Sequence, residues 1–88
     1  MTTIWKWPLR IVDRQTITAP GGTSFLHVAY QGETLCIWGE GDPKNPSADT
    51  PIYIVGTGHP VPEGVAYIGT VLDRGGLLVW HVYMGGEA

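Results

Sequence analysis

Ser24-Phe25-Leu26-His27-Val28-Ala29-Tyr30, then Gln31-Gly32, then Glu33-Thr34-Leu35-Cys36-Ile37-Trp38-Gly39-Glu40: two short runs rich in β-branched and aromatic residues flank a two-residue break. Such residues favour strands. A Gly in the second place of the break supplies the positive φ that a tight hairpin turn needs. The stretch predicts a β-hairpin with strands over 24–30 and 33–40.

Working outward, the same pattern repeats. Residues 3–9 alternate, with Ile4, Lys6 and Pro8 against Trp5, Trp7 and Leu9. Pro8 removes an amide donor, which places this strand at a sheet edge. Residues 10–19 continue as an extended segment anchored by Ile11, Val12 and Ile17, and Pro20-Gly21-Gly22 makes a turn. Residues 41–51 read as a polar, Pro-stiffened loop, followed by a strand over 52–55 and a second loop over 56–64. A strand over 66–72, a tight turn at 73–76 and a last strand over 77–83 complete the chain. Thirteen Gly and seven Pro leave no window for a long helix, since these are the poorest helix residues. The fold class expected is all-β: a small antiparallel sandwich or partly open barrel of six to seven short strands. The expected organisation is one domain over 1–88, with its core at about 3–84 and a fraying tail at 85–88.

The totals narrow the function. Charged residues are 15% and hydrophobic residues 43% of the 88, against about 25% charged in ordinary domains. A chain this short has much surface for its volume, so some apolar surface is expected to meet a second copy. The last strand, Leu77-Leu78-Val79-Trp80-His81-Val82-Tyr83, is apolar on both faces and is expected to be central or to meet another subunit. Net charge is −3, with five scattered Lys and Arg, which excludes the clustered basic footprint of duplex nucleic-acid binding. No run is long and apolar enough to span a membrane. One cysteine, Cys36, excludes an intrachain disulfide and points to a reducing compartment.

Gly56-Thr57-Gly58-His59-Pro60 carries the clearest chemical signal. Two glycines around a threonine let backbone amides point one way and cradle an anion, with the Thr57 hydroxyl and His59 imidazole as adjustable donors. The alternative is a plain strand-ending turn. Neither the phosphate-loop nor the dinucleotide pattern follows it. Trp38, Tyr67 and Trp80 are candidate stacking platforms, and Arg74 or Lys6 candidate cations. Of the other aromatics, Trp5 and Trp7 sit on one face of an expected edge strand, and Tyr53 and Tyr83 are further candidates to line a pocket. His27, His59 and His81 have no spacing that demands metal ligation, and no nucleophile stands beside a base in sequence. No metal, no cofactor and no catalytic residue is expected, and the reading is a binding protein and not an enzyme.

Trp7-Pro8-Leu9, Ile37-Trp38 before Asp42-Pro43, Tyr53-Ile54-Val55-Gly56-Thr57-Gly58-His59-Pro60, Tyr67-Ile68-Gly69-Thr70 and His81-Val82-Tyr83 together resemble a family of short bacteriophage and prophage domains of unknown function. The resemblance runs from about Ile4 to Tyr83, and the loop from Pro43 to Thr50 is stretched relative to it. It implies a phage protein acting in the host cytoplasm, with no established activity. The expectation is a counter-defence protein: a homo-oligomeric sponge that sequesters a nucleotide-derived immune signal of the cyclic dinucleotide or cyclic ADP-ribose type. Its ligand residues would be Gly56, Thr57, Gly58, His59, Trp38, Tyr67, Arg74 and Trp80. The alternatives are a direct protein inhibitor of a host defence complex, like an anti-CRISPR, or a structural phage protein. Self-association and a cyclic nucleotide or host defence protein are the partners expected, with no duplex nucleic acid and no membrane.

Overall fold

Alternation of apolar and polar residues decides which side of each strand faces inward. In β1 (Thr3–Leu9), Trp5, Trp7 and Leu9 turn in while Ile4, Lys6 and Pro8 stay exposed. In β2 (Arg14–Pro20), Gln15, Ile17 and Ala19 are buried between exposed neighbours. These are the period-two faces of half-buried antiparallel strands. The computed structural model describes residues 1–73 and 75–85. It continues with β3 (Ser24–Gln31), β4 (Thr34–Gly41), β5 (Ser47–Gly56), β6 (Val65–Leu72) and β7 (Val79–Gly85).

The strands form two sheets. One has the order β1-β4-β3 and the other β2-β5-β7-β6. Every pairing is antiparallel. The sheets stack as a sandwich that does not close into a barrel, with a Cα envelope of 40 × 30 × 16 Å. Its thinnest dimension fits two layers about 10 Å apart. The core lies between them. Leu9, Val28, Leu35 and Ile37 come from the first sheet, and Ile17, Ala19, Ile52, Ile54, Val71 and Val82 from the second. Ile37, Ile52 and Val82 are fully buried. At one end Trp7 packs edge-on to Phe25 at 5.6 Å. Gly39 makes room for it, because a Cβ there would lie 3.0 Å from the Trp7 ring.

Several expected boundaries move. The extended segment 10–19 is a bend over 11–13 followed by β2. The loop expected over 41–51 shrinks, because Ser47 to Pro51 are already strand, paired with β2 from Pro20↔Ser47 to Thr16↔Pro51. There β5 overhangs β7, whose pairing starts at Ile52, so Pro51 sits where one edge of the strand is open and a missing donor is tolerated. The final strand starts at Val79. Leu77 and Leu78 belong instead to the β6–β7 connection, where Asp73 Oδ1 accepts their amides at 3.2 and 3.4 Å. That connection is longer than the expected tight turn at 73–76. β7 is central, as its composition suggested. Trp5 and Trp7, expected at an exposed start, are half-buried on the inward face of edge strand β1. Of the expected tail, Gly85 ends β7 and residues 86–88 lie outside the described residues. Among the described residues, no helix is long and apolar enough to cross a membrane.

Candidate functional site

The outer face of the four-stranded sheet is built in two cross-strand rows. Register places Arg14 opposite Tyr53, Tyr53 opposite Tyr83, and Tyr83 opposite Tyr67, one residue from each strand. The Arg14 guanidinium lies over the Tyr53 ring, 5.8 Å from its centroid. Tyr83 and Tyr67 meet edge-to-face at 5.5 Å. In the next row Val55 stands opposite His81, and His81 opposite Thr70.

His81 is held from both sides. Its Nε2 lies 2.9 Å from Thr57 Oγ1 and its Nδ1 lies 3.0 Å from Thr70 Oγ1. Thr70 Oγ1 in turn is 2.5 Å from the Tyr67 hydroxyl. A neutral imidazole donates through one nitrogen and accepts through the other. One of the two threonines therefore donates to the ring while the other accepts from it, and the four side chains form one polarised series. Its ends, Thr57 and Tyr67, are both exposed.

The loop 57–64 crosses above this face. Its turn closes through the His59 amide, which donates to the Gly56 carbonyl at 3.1 Å, and Gly58 takes φ +92°. The loop covers Tyr53 and Val55, which are 9% and 8% exposed although they face away from the core. Three clefts meet at His59. One of about 230 Å³ runs toward Arg14, Tyr53 and Pro62. One of about 450 Å³ runs toward Leu77, Leu78 and Trp80. The third, of about 220 Å³, lies over His81 and Tyr83 beneath Val61.

The expected site residues divide. Gly56, Thr57, Gly58 and His59 come together at this junction. The amide cradle is smaller than expected, because the His59 amide is spent within the turn. Tyr67 joins through Thr70 and His81. Trp80 faces inward, packs against the core and edges the cleft beside Leu77. Trp38 is not part of the site. It lies on the outer face of the three-stranded sheet, in register with Lys6 and His27 and 6.1 Å from the His27 ring. Lys6 shares that distant face and donates to Gln31 Oε1. Arg74 lies outside the described residues. His27 sits on one sheet and His81 on the other, with His59 in the loop. Among the described residues, no group of three or more His, Cys, Asp or Glu gathers as metal ligands.

Arg14, Thr70 and His81 were not legible as site residues. The period-two spacing of Tyr53, Val55 and Thr57 and of His81 and Tyr83 was the available signal for the face. Arg14 enters only through its register with Tyr53.

These features define an antiparallel β-sandwich with a loop-covered, tyrosine-lined cleft junction on one outer face. The chain belongs to the family described as domain of unknown function (DUF7352), whose model matches residues 1–88. No curated protein and no solved structure matches it.

Proposed function

We propose that this is a non-catalytic binding domain, a homo-oligomeric sponge that sequesters a nucleotide-derived anion at the junction around His59. The observation that carries the reading is the polarised series Tyr67–Thr70–His81–Thr57, which ends beside a loop where three clefts converge. A hydroxyl backed by an imidazole can present either a donor or a lone pair, which suits phosphoryl or ribose oxygens. Val61, Tyr83 and Trp80 add apolar surface for a base. Each cleft is at or below the lower part of the roughly 300–1,000 Å³ usual for small-molecule sites. A ligand of dinucleotide size would therefore span more than one of them. The phage setting and the host cytoplasm rest on the sequence resemblance alone.

A second reading, a direct inhibitor of a host defence protein, is favoured by one observation. Leu72, Leu77 and Leu78 are 58%, 88% and 50% exposed around a single connection. Exposed apolar clusters mark protein contacts.

The test is a thermal-shift panel of cyclic dinucleotides and cyclic ADP-ribose isomers, followed by heating to recover the ligand. Binding only to the native state raises the melting temperature with the logarithm of ligand excess. The expected result is a shift with one class and recovery of intact ligand. Thr57→Val and His59→Ala should each weaken that shift while the fold persists. Recovery of altered ligand would make the domain an enzyme. Silence across the panel, with capture of a host protein that Leu77→Ser abolishes, would favour the inhibitor.

A further inference from the structure

The cleft on the Arg14 side of His59 has a different chemistry from the Thr57–His81 side. Arg14 is exposed at the first position of β2, yet its guanidinium lies over the nearly buried Tyr53 ring instead of extending into water. A cation over an aromatic face is attracted by the ring quadrupole, which favours this placement of the guanidinium. Asp13 is its neighbour in sequence and lines the same cleft. Even so, among the described residues Arg14 makes no ion pair. Asp13 serves the fold through its backbone, its carbonyl accepting the Ile54 amide at 3.2 Å. The remaining lining comes from Ile54, Val55, His59, Pro60 and Pro62. A guanidinium with no ion pair among the described residues thus lines a mainly apolar cleft of about 230 Å³.

We infer that this cleft is an oxyanion subsite: Arg14 receives a phosphate group through its guanidinium, and Val55, Pro60 and Pro62 hold the small flat apolar body that bears it. The size of the cleft sets the ligand class. It accepts a ring-sized phosphate ester and not a whole dinucleotide. The inference does not depend on the nucleotide reading or on Thr57 and His81.

The probe is phenyl phosphate, titrated into the full-length protein and followed by NMR of the Arg14 side-chain Nε–H, the Tyr53 ring and the Val55 methyls. Inorganic phosphate and phenol are run in parallel. The expected result is a saturable shift at all three residues with phenyl phosphate, at concentrations about tenfold lower than for either half-ligand, which corresponds to about 1.4 kcal/mol. Arg14→Gln should abolish saturation. Arg14→Lys, which keeps the charge but not the planar fork, should bind several-fold more weakly than the parent. Lys6→Gln, on the outer face of the other sheet, should leave the titration unchanged. Equal response to phenol and phenyl phosphate, or parental binding by Arg14→Gln, overturns the subsite. Phenyl phosphate binding in a protein silent to the nucleotide panel would keep the subsite and remove the sponge. Panel binding indifferent to Arg14→Gln, with no phenyl phosphate response, would do the opposite.

Discussion

Tyr67 and Thr70 are three residues apart in β6, yet their hydroxyls meet at 2.5 Å on the same face of the sheet. In a regular strand, residues three apart point to opposite faces. The register shift between Tyr67 and Gly69 inserts Ile68 as an extra residue. Bulges re-aim side chains in this way. This one turns Thr70 outward to His81 while Ile68 packs against the core.

Thr70→Val removes the hydroxyl that joins Tyr67 to His81 and leaves both partners exposed enough to find water. The fold should persist with a loss of about 1 kcal/mol. In a domain of this size that is a melting shift of roughly 4–8 °C. The discriminating readout is the His81 nitrogen chemical shifts, which should change as Nδ1 loses its partner. Parental nitrogen shifts in the variant would mean that the series does not form in solution.

Gly69→Ala tests the approach of the two sheets. A Cβ at Gly69 would lie 2.8 Å from Val28 Cγ2. That distance forces the layers apart or Val28 out of its rotamer, and overpacking of this kind costs about 1–3 kcal/mol. Adding Val28→Ala should recover part of the loss, giving a non-zero coupling in a double-mutant cycle on chemical denaturation. Strict additivity would place Gly69 away from Val28.

Ile37→Ala and Ile4→Ala contrast the two faces of the three-stranded sheet. Ile37 is fully buried and Ile4 is 59% exposed. The first should cost about 2–5 kcal/mol, the second within about 0.5 kcal/mol. Urea midpoints decide, and similar losses at both sites would contradict the assigned orientation of β1 and β4.

If the exposed leucines of the β6–β7 connection form the interface of the proposed homo-oligomer instead of meeting a host protein, Leu77→Ser with Leu78→Ser lowers the sedimentation coefficient toward that of a monomer. The unfolding temperature at low concentration should hardly change, because both leucines are exposed. A parent that already sediments as a monomer at high concentration removes the oligomer from the functional reading.

The strands were legible where alternation or a Gly-containing turn marked them. β1 and the β3–β4 hairpin follow directly from Trp5-Lys6-Trp7 and Gln31-Gly32. The start of β5 was not, because Ser47, Ala48 and Asp49 are exposed and flanked by prolines. A strand paired along one edge and wet on both faces has the composition of a loop. At the site, the glycines of 56–58 announced the loop, but nothing local separates Trp38 on one sheet from Tyr83 on the other. Arg14 and His81 acquire their roles only from register between distant strands, and Thr70 only from a bulge. Those are long-range facts that no short window contains.

Cys36 lies between Pro8 and Ala29 in register on the outer side of the three-stranded sheet, 3% exposed, its thiol directed to the Thr34 carbonyl at 3.6 Å. Its strand neighbours β1 and β3 are both edge strands, the kind of element that detaches first in local opening. The protein thus carries a built-in chemical clock: the speed at which a thiol reagent modifies this single thiol measures how often either edge strand, β1 or β3, lifts away from β4, without any label having to be introduced.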